Sequence, residues 1–213
     1  MPARLYAVII ADVVESSSRR GLRNLLAAKL ADASKRHVRR RLIRLPYSVT
    51  AGDEFQTIAA APSCVPALLL DLRRSLRPLP LRIGVGLGRI TDRIRPPVNQ
   101  LGGEAFQRAR KAMDRLKAGN LFRFDTLTAF SSRNERLDAT MNLLYGLQDT
   151  LVLKIKRRQW DAISAFLDEQ NLERAARRLR LDASTVSRNL KRGYYWQLLE
   201  TAKLASAVIE RQM

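Results

Sequence analysis

The sequence predicts an α+β protein: a ferredoxin-like (palm) βαββαβ domain over residues 1–133, a connecting helix or linker over 134–150, and an all-α helix-turn-helix domain over 151–213. The first domain rests on the order of its apolar patterns. Strand, helix, strand, strand, helix, strand is the split βαβ arrangement. The second rests on a change of kind, from strands alternating with helices to a succession of short helical patterns with a turn inside them. At 213 residues and 46% hydrophobic composition, the chain is long enough for one full domain and a small one.

"RLYAVIIAD", Arg4 to Asp12, is a short apolar run closed by a carboxylate, the pattern of a buried strand opening into a loop. "RGLRNLLAAKLADASKRHV" then carries Leu22, Leu25, Leu26 and Leu30 at helical spacing as an inner stripe. "LIRLPYSVT", an "AG" turn and "DEFQTIAAA" form a hairpin whose first strand sets Leu45, Tyr47 and Val49 on one face, with Pro46 marking an edge or bulge. "CVPALLLDLRRSL" reads as the second helix and "LPLRIGVGLGRI" as a further strand. Gly84, Gly86 and Gly88 leave one face of that strand bare, which admits either close helix packing or close approach of a ligand. A third helix runs through "EAFQRARKAMDRLKAG", "NLFRF" adds a strand, and "NERLDATMNLLYGLQDTLV" is helical, so the first domain ends between about Ala129 and Thr150.

The later helices differ. "RRQWDAISAFLDEQ" sets Trp160, Ile163, Phe166 and Leu167 on one face, "NLERAARRLRLDASTVSRNLKRG" splits into two short helices around "RLD", and "YYWQLLETAKLASAVIERQ" forms a longer one. At the start of that last helix, Tyr194 to Gln197 is expected as core and boundary rather than as a stacking platform for bases.

Lys and Arg number 39 against 20 Asp and Glu, a formal charge of +19, well beyond what solubility asks for. Nucleic acid, anionic lipid and nucleotides all suit such a surface. Residues 151–213 hold 13 Lys and Arg against 7 Asp and Glu, a net of +6, and residues 1–150 hold 26 against 13, a net of +13, so both parts are basic. Cys64 is the single cysteine, which excludes an intrachain disulfide and points to a reducing, cytoplasmic setting. No apolar run approaches the ~20 residues of a membrane span, and the amino terminus does not read as a secretory address. His37, the single histidine, lies between basic residues and is expected exposed at a helix end.

In a split βαβ sheet the first strand is central and the hairpin lies beside it, so Asp12 at the strand end meets Asp53 at the hairpin tip. Carboxylates brought together repel unless a cation or proton offsets them, and oxygen ligands open to a polyphosphate suit Mg²⁺ or Mn²⁺. Separate turn and cap roles are the simpler alternative for this pair. Glu54 points away from Asp53 in a regular strand and is the weaker ligand, and Glu15 is a third ligand or solvated. Ser16, Ser17, Ser18 and Arg19 stand at a helix start, where free N–H groups and a guanidinium receive phosphate. Arg110 and Lys111, on a helix packing across the same sheet, belong either to this site or to a solvated basic face.

"YAVIIADVVESS", "VTAGDEFQ", "LRIGVGLGRI" and "LGGEAFQRARKAM" stand in the order and spacing of the SatD protein family, which this chain resembles over roughly Arg4 to Leu116. The same stretches are similar to a distant class III nucleotidyl cyclase domain and, more loosely, to diguanylate cyclase palms. That resemblance implies metal binding by Asp12 and Asp53, with backbone at Val13 and Val14 near phosphates. It also lays Arg110 over the arginine that stabilises phosphoryl transfer, as the catalytic residue. Phe106 stands where cyclases carry a ribose-orienting asparagine, and an apolar ring cannot donate that hydrogen bond.

Over Leu172 to Arg192 the chain resembles the bacterial helix-turn-helix. Ala176 fits a close helix crossing, Leu181 the turn, and Val186 and Leu190 the inner face, with Asp182 or Ser184 as cap. Ser184, Thr185, Ser187, Arg188, Lys191 and Arg192 remain for DNA, Arg188 for a base edge and Lys191 or Arg192 for phosphate. Arg180 occupies the turn position where many members carry glycine. A three-helix dimerisation bundle is the alternative for this module. The expected protein is thus a cytoplasmic, dimeric DNA-binding transcriptional regulator whose partners are double-stranded DNA and a nucleotide or other anion. A metal-dependent nucleotidyl or phosphoryl transferase and a ligand-free dimerisation scaffold stand as alternatives.

Overall fold

The computed structural model describes residues 4–16, 21–119 and 121–212. Its fold is α+β, with a five-stranded sheet in the order β2-β3-β1-β4-β5. The strands are β1 (Tyr6–Val13), β2 (Ser48–Ala51), β3 (Glu54–Ile58), β4 (Leu81–Gly88) and β5 (Thr128–Ser131). The helices are α1 (Leu22–Arg39), α2 (Val65–Leu76), α3 (Glu104–Lys117), α4 (Glu135–Val152), α5 (Arg157–Glu169), α6 (Leu172–Leu179), α7 (Ala183–Arg192) and α8 (Tyr195–Gln212). β1 is central, antiparallel to β3 on one side and to β4 on the other, and β5 adds parallel to β4.

The two-residue period of β1 divides the core. Ala7, Ile9, Ala11 and Val13 join Leu26, Leu30, Phe55, Leu68 and Leu72 on the side of α1 and α2. Val8 and Ile10 face the other way and meet Ile58 of β3 and Ala105, Ala109 and Met113 of α3. The bare face of β4 is thereby explained: α3 lies on it so closely that a Cβ at Gly86 would stand 2.0 Å from the Ala105 carbonyl oxygen, and one at Gly84 2.6 Å from that of Ala109. Of the two readings of the glycine ladder, helix packing is the one observed.

α4 covers the same layer as α1 and α2, burying Leu137, Met141 and Tyr145 against Phe130 of β5. α8 returns to this layer with Ala205 and Ile209, and the Ser206 hydroxyl donates to the Ser63 carbonyl at 2.9 Å. A second core, with Trp160, Ile163, Ala175, Val186, Leu190 and Tyr195, joins α5, α6, α7 and the start of α8.

Several expectations are corrected. The extra strand is not "NLFRF": β5 lies further on at Thr128–Ser131, while Phe122 and Phe124 stack at 5.0 Å over Gly146. The first hairpin strand begins only at Ser48, and Leu45 and Tyr47 pack in different clusters rather than on one face. In α1, Leu22, Leu26 and Leu30 are buried, but Leu25 faces solvent. His37 is fully buried, not an exposed helix end. Its Nε2–H donates to Asp71 Oδ2 at 2.6 Å, since a carboxylate only accepts, and its Nδ1 lies 2.8 Å from the Tyr47 hydroxyl.

Candidate functional site

At the carboxyl end of β1, alternation along the strand sends Asp12 to the α3 face behind Val8 and Ile10. There it meets Arg82, its cross-strand partner on β4, whose Nε donates to Oδ1 at 3.1 Å. Lys117, the last residue of α3, reaches Oδ2 at 3.2 Å and Glu54 Oε2 at 3.6 Å. Glu54 in turn accepts two hydrogen bonds from Arg110, at 2.6 and 2.7 Å, and one from the Thr50 hydroxyl at 2.9 Å. The hydrogen bond from Arg110 is the main reason the Glu54 carboxyl is held below its ordinary range, with Lys117 adding to it against the opposing effect of burial. The guanidinium of Arg110 is correspondingly held more firmly protonated.

Asp53, at the hairpin turn, approaches the same strand end differently, its Oδ2 accepting the Val13 N–H at 3.0 Å. The Val14 N–H is also engaged, donating to the Pro80 carbonyl at 2.9 Å. Both backbone donors expected near phosphate therefore already hold protein acceptors. Beside Asp53 lies a cavity of about 350 Å³ between the hairpin and the start of α1, lined by Ser16, Gly21, Arg23, Asn24, Gly52 and Asp53. Arg19, with Ser17 and Ser18, lies outside the described residues. Lys111 is exposed on α3.

In the carboxy-terminal helices, α6 is capped by Asn171, whose side chain accepts the Arg174 N–H at 2.9 Å. It ends on Arg180, which takes the left-handed conformation itself, φ 55° and ψ 48°. Ala176, Val186 and Leu190 are buried as the pattern expects. Asp182 occupies the N-cap of α7 without a side-chain bond, and Leu181 does not plug the turn but is 45% exposed. Ser184, Ser187, Arg188, Lys191 and Arg192 are exposed, and Thr185 is half-buried with its hydroxyl accepting from Arg188 at 3.1 Å. Of "YYWQ", Tyr195 is buried and Trp196 faces solvent.

The SatD family model matches residues 6–209. The chain belongs to the SatD family. No curated protein matches it. Among solved structures, the crystal structure of a regulator of polyketide synthase expression from Bifidobacterium adolescentis is similar at 16% identity and a TM-score of 0.28, over 99% of this chain and 83% of that one. Among the described residues, no helix is long and apolar enough to cross a membrane.

Sequence reasoning missed Lys117, Arg82 and the role of Glu54 in this SatD-family protein. Protein cations face Asp12 and Glu54, Arg82 and Lys117 the first and Arg110 and Lys117 the second, and none of these pairs includes Asp53. Among the described residues, no group of three or more His, Cys, Asp or Glu is arranged to hold a metal. Asp53 fits a hard cation, having no ion pair among the described residues and facing the cavity. Asp12 fits only if Lys117 and Arg82 yield, because each of its oxygens already holds one of them.

Proposed function

We propose that this SatD-family protein is a cytoplasmic DNA-binding transcriptional regulator in which α6 and α7 form a helix-turn-helix and α7 enters the major groove. The observation that carries the proposal is the division of α7. Val186 and Leu190 are buried against α5 and α6, and the opposite side presents Ser184, Ser187, Arg188 and Lys191 with Arg192 at the end. A base edge suits Arg188 and phosphates suit Lys191 and Arg192. In this reading residues 151–213 are the reader, the sheet and α1 to α3 form a ferredoxin-like palm, and a homodimer spans two half-sites. Replacing Arg188 and Lys191 together by alanine is expected to weaken binding to a selected DNA duplex by about 10- to 100-fold. Fluorescence anisotropy checks it, and unchanged affinity removes α7 as the recognition helix.

A second reading concerns the palm, and the cavity beside Asp53 favours it. The pocket suits a nucleotide or another anion, with Ser16 and Arg23 toward phosphate and Asp53 toward Mg²⁺ or Mn²⁺, an ion that Asp12, which does not line the pocket, would share only from across the end of β1. A bound ion would neutralise phosphate charge there. Arg110 is held by Glu54, so a transferase role requires that pair to open, whereas ligand sensing does not. Such a ligand acts on DNA affinity only by favouring one dimer geometry. If Asp12 is a ligand, Lys117 competes with the ion. Lys117→Ala is then expected to bind Mn²⁺ roughly tenfold tighter by calorimetry, a gain of about 1.4 kcal/mol. Equal or weaker affinity would take Asp12 out of the metal site, and absence of uptake by both proteins leaves the palm as a scaffold.

A further inference from the structure

Beside α7 runs a groove of about 920 Å³ whose other wall is the start of α5. Lys156, at the N-cap of α5, and Arg157 and Arg158, in its first turn, line one side, and Arg188 and Arg192 line the other from α7. All are exposed, and among the described residues none of them makes an ion pair with a carboxylate. The acid that lines the groove, Asp161, is engaged by Arg77 at 3.0 Å. Like charges gathered along one concave wall repel one another, and the cost falls when a polyanion lies between them.

We propose that this groove is the track of one DNA sugar-phosphate strand, so that the start of α5 is a second DNA contact which sets the angle of α7 in the major groove. The inference rests on the DNA-binding reading of α7 and extends it to residues that a helix-turn-helix pattern over 172–192 does not include. The occupant is duplex backbone because the groove is continuous with the exposed side of α7 and Arg188 and Arg192 border both. A phosphate chain lying there is pinned at the edge of the groove that α7 reads. Thr185, Asn189 and Gln159 add polar side chains to the walls. Exposed Leu181 also lines the groove, giving an apolar surface for a deoxyribose.

The α5 wall is tied to its surroundings by packing and hydrogen bonds. Trp160 and Ile163 anchor the helix in the second core, the Gln159 side chain accepts the Lys156 N–H at 2.8 Å, and Arg77 holds both Asp161 and the Arg157 carbonyl. On such a wall the side chains still lose rotamer freedom when they engage phosphate, but the backbone that carries them does not have to be ordered as well.

The test uses the full chain, a duplex recovered from a randomised pool, and a scrambled duplex of equal length. The K156A/R157A/R158A triple variant is expected to weaken binding to both duplexes by the same factor, about 10- to 100-fold, and to lower the slope of log affinity against log salt by about 2 to 3. Arg188→Ala is expected instead to narrow the difference between the duplexes. A K156R/R157K/R158K variant keeps the charge and retains affinity, separating phosphate attraction from disturbed folding. If the parent protein binds duplex and the alanine variant keeps its affinity and salt slope, the α5 track is wrong while the reading of α7 survives. If the parent binds neither duplex even at low salt, both fall, and preference for single-stranded RNA over duplex likewise overturns the proposal.

Discussion

Replacing Gly86 by alanine is expected to lower the midpoint of thermal unfolding by about 10 °C, a larger effect than a single methyl group usually produces in a core. The new Cβ would lie 2.0 Å from the Ala105 carbonyl oxygen and 2.2 Å from the Ala109 nitrogen. Both are backbone atoms of α3, so no side-chain rotation relieves the overlap, and the whole helix must lift from β4. Overpacking typically costs about 1–3 kcal/mol and more when the backbone has to move. In a chain of this size each kcal/mol shifts the midpoint by roughly 2–4 °C. The displacement has a second consequence, because α3 carries Arg110 and Lys117, and lifting it draws both away from Glu54 and Asp12. Gly102→Ala is the control, since a Cβ there meets only the Asp92 carboxylate at an ordinary 3.4 Å. Equal melting of the parent and the Gly86 variant would show that α3 does not depend on the bare strand.

Those glycines mark the limit of what the sequence discloses. Their alternation declares a face without side chains, but only the position of α3 says that a helix occupies it. The strand and helix order was readable because burial on one or both faces imposes the two- and 3.6-residue periods that the apolar residues follow. A central first strand with the hairpin beside it was also readable, but not that Glu54 rather than Asp53 would share Lys117 with Asp12. The charge partners of Asp12 were not readable. Arg82 depends on cross-strand register and Lys117 on where the last turn of α3 ends, two quantities that no local pattern fixes.

His37 was legible and misread. Leu26, Leu30, Ala33 and His37 follow the buried stripe of α1 at intervals of four, three and four residues, and that period outweighs the basic neighbours which suggested exposure. Leu181 errs in the opposite direction. With Arg180 left-handed, the turn closes through the backbone bond from the Leu181 N–H to the Ala176 carbonyl, and the leucine side chain stays outside.

The acid that receives His37 sets the second large effect. Asp71→Ala is expected to destabilise the protein by about 3–5 kcal/mol at neutral pH, the usual result of deleting one member of a buried ionic cluster. Burial by itself would raise the Asp71 carboxyl. The hydrogen bond from His37 and the charges of Arg74, His37 and Arg40 prevail and hold it well below the ordinary carboxylate range. A depressed folded-state pKa means that the contribution is complete above the unfolded value of about 3.9 and fades as pH falls through the folded value. The gap in stability between the parent and Asp71→Asn, measured by urea unfolding, is therefore expected to be full at pH 7 and clearly smaller near pH 3. A gap that does not change with pH would mean that shape, not charge, is what Asp71 supplies. The loss also reaches beyond α1 and α2, because Arg74, paired with Asp71 at 2.6 Å, donates as well to Asp168 and to the Ser164 carbonyl of α5. Without Asp71 this arginine loses one of the carboxylates that orient it, and the attachment of α5 to α2 loosens along with the buried histidine.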